Sequence, residues 1–391
     1  NEIFACNTIR WLSAAGLKER IIVFDESHNP ISGINGGYLL LGKYLTSNGY
    51  TVRWMSTFHT SLLDEAHVLF ICDGTVAYSN PEINAIEAFV STGGSLFLIT
   101  DFDLAGDRTD PIGNQFGIDR NDTSYLEDSD DSVGGNPSFI FFNGANIGVH
   151  PITQGVSRIE VYTTTAFDTI GSGTALVSSD IDGTCSWHDG GGASGLPIMA
   201  AVEHGLGRVV CVCDLNFLDV SDWDSDGVSS LLEHDNNLFA VNAFQWLVEN
   251  RAPVVNVTYP NGAETLTGIV SVSWTAVDPN KDPITSYDVY YSDNNGGSWT
   301  SIGTGLTTTS TNWDTTSVSD GDQYLIRVVA HDYELSGQDQ SDAVFSIDNV
   351  TPTPTPPPIP GFPLEAIALG LLFSLGLVFV MRRRRRDEVH H

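Results

Sequence analysis

Four short apolar runs, separated by helical stretches or tight loops, constrain most strongly what this chain can fold into. Arg20–Asp25 (RIIVFD) reads as a continuous apolar strand. Gly36–Asn48 has a helical pattern and stops at Gly49. Thr51–Met55 is a short second strand, and His67–Cys72 (HVLFIC) a third. Ser79 and Glu82 stand at capping-box spacing, with Pro81 in the first turn of the helix they open. Ile83, Ile86, Phe89 and Val90 give that helix one apolar face, Gly93-Gly94 ends it, and Ser95–Thr100 (SLFLIT) is a fourth strand. Strand, helix and strand at these intervals predict parallel strands with helical crossovers, an α/β domain over residues 20–250. From Ser138 onward the expected strands are shorter and turn-rich. Gly207–Asp214 is the last buried strand, and Asn236–Asn250 the closing helix.

The last forty residues suggest a location. Residues 350–361 contain a Pro/Thr stalk, Thr351–Pro360 (TPTPTPPPIP). Leu364–Met381, within residues 362–381, is an apolar run followed by five arginines, Arg382–Arg386, in the 382–391 tail. Eighteen residues make a helix of roughly 27 Å, close to the ~30 Å hydrocarbon core. Arginine is held on the cytoplasmic side. The expectation is a single-pass cell-membrane protein, its N-terminal portion extracellular and its tail cytoplasmic. The net charge is −32. Without the arginine block, Glu365, Asp387 and Glu388, the outer portion keeps 12 basic against 46 acidic residues. Such a surface repels nucleic acid and attracts divalent cations. No nucleic-acid partner and no organic cofactor are expected; partners would be the membrane, other surface proteins or glycans.

Asn1–Leu12 aligns without gaps to Asn236–Leu247, with six of twelve positions identical, including Phe4/Phe239, Asn7/Asn242 and Trp11/Trp246. Residues 1–19 therefore read as the closing helix of an upstream repeat that has been cut away. A translocated chain needs a signal peptide and none is present, so residue 1 is read as not the natural start. The five cysteines are odd in number and irregularly spaced, so no disulfide framework is implied. Most read as small apolar core residues.

The segments IIVFDESHN, LTSNGYTV, DEAHVLFICDG and EINAIEAFVSTGGSLFLITD, with HPITQGV (His150–Val156) and GLGRVVCVCDLNFL, are similar to the class I glutamine amidotransferase-like superfamily. More closely they resemble its non-catalytic branch in gliding-motility transporter components, intraflagellar transport proteins and archaeal surface proteins. The resemblance implies a parallel-sheet, flavodoxin-like fold. It also implies that an active member would carry a cysteine on the sharp turn after the fourth strand, with a His and Glu to activate it. Here that turn reads Leu98-Ile99-Thr100-Asp101-Phe102, without cysteine or serine. Cys72 is the one substitute, but it closes the third strand, and Asp73 beside it would raise the thiol pKa. The expectation is no enzyme, with Cys72 as the alternative nucleophile.

What the strand ends carry is acid: Asp25, Glu26, Asp73, Asp101, Asp103 and Asp214. In a parallel sheet these converge on the carboxyl edge, where ligands bind. They could form a cation-assisted or hydroxyl-rich ligand site, joined by His28 and His150, or could be helix caps and solvated loop acids. The sharpest motif is Asp222-Trp223-Asp224-Ser225-Asp226-Gly227 running to Glu233, which matches D-x-D-x-D-G-x5-E. Calcium takes oxygens from alternate loop acids, from a backbone carbonyl (here Val228) and from both oxygens of the closing Glu233. The loop is expected without the full helix-loop-helix hand.

Residues 251–349 carry Trp274, Tyr287–Ser292, Trp299, Trp313 and Tyr324–Val328 as marks of short strands in a β-sandwich. The stretch resembles fibronectin type III and related immunoglobulin-like modules, with Tyr324 as their corner tyrosine. Ser292–Trp299 resembles an Asp-box and marks a hairpin turn, and Asp278–Asp282 (DPNKD) is a candidate for a second calcium. Asn121, Asn256 and Asn349 are sequons for glycosylation. Pro360-Gly361-Phe362 resembles the archaeal PGF-type sorting signal, which implies exchange of the helix for lipid; Pro363 departs from its usual glycine. Taken together, the chain reads as a non-enzymatic binding or scaffolding protein at the cell surface. The alternatives are an extracellular hydrolase using the acid cluster or Cys72, and a calcium-dependent lattice or adhesion protein.

Overall fold

The computed structural model describes residues 20–102, 108–121, 124–180 and 185–349. The closing helix expected at 1–19, Asp103, the stalk, the apolar run and the arginine tail all lie outside the described residues. Among the described residues no helix is long and apolar enough to cross a membrane.

The first unit is a seven-stranded sheet covered on both faces. Its elements in chain order are β1 (Ile21–Asp25), α1 (Leu39–Ser47), β2 (Thr51–Met55), α2 (Thr60–Glu65), β3 (Val68–Cys72), α3 (Asn80–Ser91) and β4 (Ser95–Ile99). There follow β5 (Asn136–Asn143), β6 (Arg158–Tyr162), β7 (Thr174–Ser178), β8 (Pro197–His204), β9 (Gly207–Val212) and the closing helix α4 (Asn236–Leu247). The strand order is β7-β8-β9-β4-β3-β1-β2. Five strands, β2, β1, β3, β4 and β9, are parallel.

Alternation along each buried strand divides the core. Ile22 and Phe24, Phe70 and Cys72, Phe97 and Ile99, and Val210 and Val212 face one cluster, closed by α1 and α4. Ile21 and Val23, Leu69 and Ile71, Leu96 and Leu98, and Val209 and Cys211 face the other, closed by α2 and α3. On the α4 side, Phe24 lies 4.3 Å from Phe70, Phe70 5.3 Å from Phe97, and Phe97 5.1 Å from Phe244 of α4. The capping signal at α3 is real: the Ser79 amide and hydroxyl both donate to Glu82 Oε2, at 2.8 and 2.6 Å. Helix α1 starts at Leu39, because Gly36 and Tyr38 first turn back onto the Gly33 carbonyl.

The sheet departs from the all-parallel expectation at one side. β8 and β9 are antiparallel, as are β7 and β8. Only Gly205 and Leu206 separate β8 from β9, which is too short for a crossover and forces a hairpin. Gly205 has φ 58°, and a Cβ there would stand 2.7 Å from Ser91 Cα and O, so the turn needs glycine twice over.

The second unit is a sandwich of two sheets. One joins β10 (Val254–Tyr259), β11 (Ile269–Val277) and β14 (Ser310–Asp314). The other centres on β15 (Gly321–His331), flanked by β12 (Ser286–Ser292), β16 (Ser336–Gln340) and β17 (Phe345–Ile347), with β13 (Thr300–Leu306) beyond β12. Trp274, Tyr287, Trp313, Tyr324 and Phe345 fill the space between them. The Tyr324 hydroxyl donates to the Ser319 carbonyl at 2.5 Å, the corner geometry expected of it. Trp299 lies in no strand; it sits in the β12–β13 turn under the Arg327 guanidinium, 3.9 Å from its ring centroid. Asn294 closes that turn, accepting from Ser298 N at 2.9 Å.

The two units dock through the Asp278–Asp282 turn. Arg20 Nη1 pairs with Asp282 Oδ1 at 2.8 Å. Lys281 Nζ donates to the Leu63 carbonyl at 2.8 Å and lies 4.2 Å from the Phe89 ring centroid.

Phe97→Ala should cost roughly 3–5 kcal/mol, because it opens a cavity between two stacked rings. Chemical denaturation of the α/β unit checks this, and a loss below about 1 kcal/mol would contradict the packing described.

Candidate functional site

Parallel strands bring their last residues to one edge, so Asp25, Cys72-Asp73, Thr100-Asp101 and Asp214 come together as expected. In the order β2-β1-β3-β4 the crossovers reverse between β1 and β3, and that switch point is where an open α/β sheet offers a crevice. Here the crevice holds the chain's own loops. Pro30 bridges Gly74. Ile31 N donates to the Asp73 carbonyl at 2.9 Å, Thr75 N to Asn29 O at 3.1 Å, and Val76 N to His28 O at 3.2 Å. The backbones meet so closely that a Cβ on Gly74 would lie 2.6 Å from His28 O.

Asp25 anchors this plug. It is buried; its Oδ1 accepts from Ser27 N at 2.8 Å and Ser27 Oγ at 2.5 Å, and its Oδ2 from Tyr78 OH at 2.6 Å. His28 Nδ1 lies 3.1 Å from Oδ2, and the imidazole stacks on Tyr78 at 3.6 Å. Burial alone would raise the Asp25 pKa, but hydrogen bonds from His28, Ser27 and Tyr78 outweigh it and the carboxyl is held below its usual value. Burial would likewise lower His28, but Asp25 and Glu82 outweigh that and hold it raised. Ser, His and Asp meet here in an order unlike that of a Ser-His-Asp triad. Ser27 Oγ and Asp25 address the same ring nitrogen, Nδ1, Ser27 Oγ also donates to Asp25 Oδ1, and the other nitrogen, Nε2, lies 3.5 Å from Glu82 Oε2.

The remaining edge acids are also engaged. Glu26 Oε1 accepts from Ile34 N, and Asp73 Oδ1 from Gly74 N at 2.8 Å. Asp101 accepts from Phe102 N at 2.6 Å and Leu215 N at 3.2 Å. Asp214, with no exposed surface, accepts from Tyr162 N at 2.6 Å and Asn216 N at 2.7 Å. Burial pushes Asp214 up to about 7 against the pull of those amides. Burial and the Asp214 charge hold Asp101 well above its usual range. At the turn after β4, Thr100 is buried and its hydroxyl has no hydrogen-bond partner.

Cys72 is buried, with Tyr38 OH 3.5 Å from Sγ. Burial, opposed by that hydroxyl and reinforced by Asp73 and Asp101, pushes the thiol up to about 12. Cys185, Cys211 and Cys213 are likewise buried. His150 stands away from the edge; its Nδ1 accepts from Ile152 N at 3.2 Å and its ring abuts Trp246 of α4.

The second acid cluster lies in the connector between β9 and α4. Asp222 Oδ1 accepts from Asp226 N at 3.0 Å and Oδ2 from Gly227 N at 2.9 Å, while Asp226 Oδ1 accepts from Val228 N at 2.8 Å. Ser225 at φ 66° and Gly227 at φ 99° make the coil that turns the three acids toward one another, with ligand oxygens all within 4.8 Å. Burial, with the charges of Asp226, Glu160 and Asp224, pushes Glu233 up to about 7. No helix stands between β9 and the acid loop, and a single 3-10 turn, Ser230–Leu232, leads from the loop toward α4.

Several participants left no signal in the sequence. Tyr78 and Ser27 complete the Asp25 shell. Asp219, buried, accepts from Ser221 N at 2.6 Å and Ser32 Oγ at 2.9 Å, tying connector to plug. Glu160 is the exception: an acid inside the apolar run of β6 is a readable anomaly. The sequons differ in surroundings. Asn256 is exposed on β10, Asn121 Nδ2 donates to Asp168 Oδ1 at 3.1 Å, and Asn349 Nδ2 donates to the Thr315 carbonyl at 2.8 Å.

No protein-family model matches the sequence, and no curated protein matches it. Among solved structures, the mmIFT52 N-terminal domain is similar with 13% identity and a TM-score of 0.47, over 59% of this chain and 97% of that one. A thua-like protein from Parabacteroides merdae is similar with 10% identity and a TM-score of 0.38, over 59% and 90%. The fibronectin(III)-like modules of Clostridium thermocellum CbhA are similar with 19% identity and a TM-score of 0.19, over 25% and 98%.

A thiol at about 12 has a thiolate fraction near neutral pH roughly a thousandfold below that of a free cysteine. Native protein should therefore be carbamidomethylated at Cys72 by iodoacetamide slower than free cysteine by about that factor, read by peptide mass spectrometry. Labelling as fast as free cysteine would restore the nucleophile reading.

Proposed function

We propose that this chain is a non-enzymatic binding or scaffolding protein of the cell surface. Its α/β domain is presented on the sandwich as a fixed arm, and the C-terminal apolar segment is its anchor. The observation that carries the reading is the filled switch-point crevice: the groups a hydrolase would aim at substrate instead hold loops together. The inter-unit clamp supports the arm. Arg20–Asp282 and Lys281–Leu63 tie the sandwich turn directly to the α/β domain, so a partner bound to the domain would meet a held surface, not a tethered one. The surplus of acid on the outer portion favours cationic partners and disfavours nucleic acid and anionic lipid.

The hydrolase reading draws on one observation, the raised Asp101 and Asp214 carboxyls, since a raised pKa makes a carboxyl better able to hold and donate a proton. Against it, both accept backbone amides, and Asp214 has no exposed surface.

Protease treatment of intact cells tests the placement. The expected result is release of fragments from both the α/β unit and the sandwich while the arginine tail stays cell-associated. Protection of the sandwich until the cells are lysed would contradict it.

A further inference from the structure

We infer that the β9–α4 connector is a calcium site in which Glu233 joins the loop acids Asp222, Asp224 and Asp226. This goes beyond the surface reading and stands without it. Three acids curled toward one another are no site by themselves, since loop amides satisfy several of their oxygens. The independent observation is Glu233. Its side chain is only 6% exposed, and its Oε1 is fully buried with no hydrogen-bond partner. The charges acting on its carboxylate are those of further acids, Asp226 and Asp224 on the loop side and Glu160 on β6, with His234 within 4.8 Å as well. A buried, unpartnered carboxylate oxygen in a group of four acids and one imidazole is made favourable by a cation among them.

The second tier is equally built. Glu160, 1% exposed, accepts from Tyr162 OH at 2.9 Å, and its other oxygen lies 3.3 Å from His234 Nε2. Glu160, Glu233 and His234 place one ligand atom each within 4.8 Å of one another. Beside them, Asp235 accepts from Ser157 N at 2.7 Å, and Asn236 bonds both Glu160 N and Glu160 O. Glu233 is thus set on the segment that fastens the connector to β6, while Asp222–Asp226 ride on the exposed loop. An ion shared between them joins the loop to the body of the domain. The donors facing Glu233 on the loop side are carboxylate oxygens at the corners of an irregular coil. That suits calcium, which takes six to eight hard oxygens in flexible geometry, better than magnesium, which demands a near-ideal octahedron.

Trp223, inside the loop and 44% exposed, supplies a probe on the unaltered sequence. Detergent-solubilised full chain, stripped with a chelator, is titrated with terbium while tryptophan is excited, and bound terbium is then competed with calcium chloride. Expected are sensitised terbium emission, its displacement by calcium below about 1 mM, and loss of that emission in Trp223→Phe. Glu233→Gln and Asp224→Asn should each weaken calcium competition by about tenfold or more. Absence of sensitised emission from the unaltered chain overturns the proposal. So does calcium affinity unchanged by either Glu233→Gln or Asp224→Asn, which would place the ion elsewhere on this acidic surface.

Discussion

The structure depends on the pairing of two loops across the gap between β1 and β3. A parallel sheet whose crossovers reverse must leave a crevice at the reversal, because the loops leave it in opposite directions. In this chain the loops turn back and hydrogen-bond to one another over the gap. Two things allow it. Glycine at position 74 lets the backbones come within contact distance, and Asp25 remains ionised beneath them because Ser27, Tyr78 and His28 surround it. A buried carboxylate without those partners would take up a proton or push the loops apart. The sheet keeps its parallel α/β architecture while the described loops above the reversal hydrogen-bond to one another.

The same use of acid recurs elsewhere. Asp219 ties the connector to Ser32 of the plug, Asp214 draws the Tyr162 and Asn216 amides onto the end of β9, and Asp282 receives Arg20 across the domain junction. In a chain with 49 acidic against 17 basic residues, five of the latter in the Arg382–Arg386 block, most carboxylates have no cationic side chain to pair with. The loops are stapled by carboxylates accepting backbone amides, which need no basic side chain.

How much could be read in advance follows from the range of the forces involved. The strands β1, β3 and β4, the α3 capping box and the Tyr324 corner were legible because each is decided within a few residues. The edge acids were legible as a group, because parallel strands bring their carboxyl ends together. What those acids do was not. Whether Asp73 faces a ligand or a returning loop depends on Asn29–Ile31, some forty residues away in sequence. The β8–β9 hairpin was missed because a run buried on both faces reads the same whether its neighbour is parallel or antiparallel. Trp299 reads both as a strand aromatic and as the end of the Ser292–Trp299 hairpin motif; it packs in the turn, under Arg327, and not in a strand.

The most direct test is native-state hydrogen exchange at the loop amides that close the crevice. Ser27, Ile31, Thr75 and Val76 lie outside every regular element, yet each donates to a carboxylate or carbonyl across or beneath the gap. The account predicts protection of these amides approaching that of β1 and β3, lost together in Gly74→Val. Exchange at the rate of unstructured loops, with the strands still protected, would mean that the crevice stands open to a ligand.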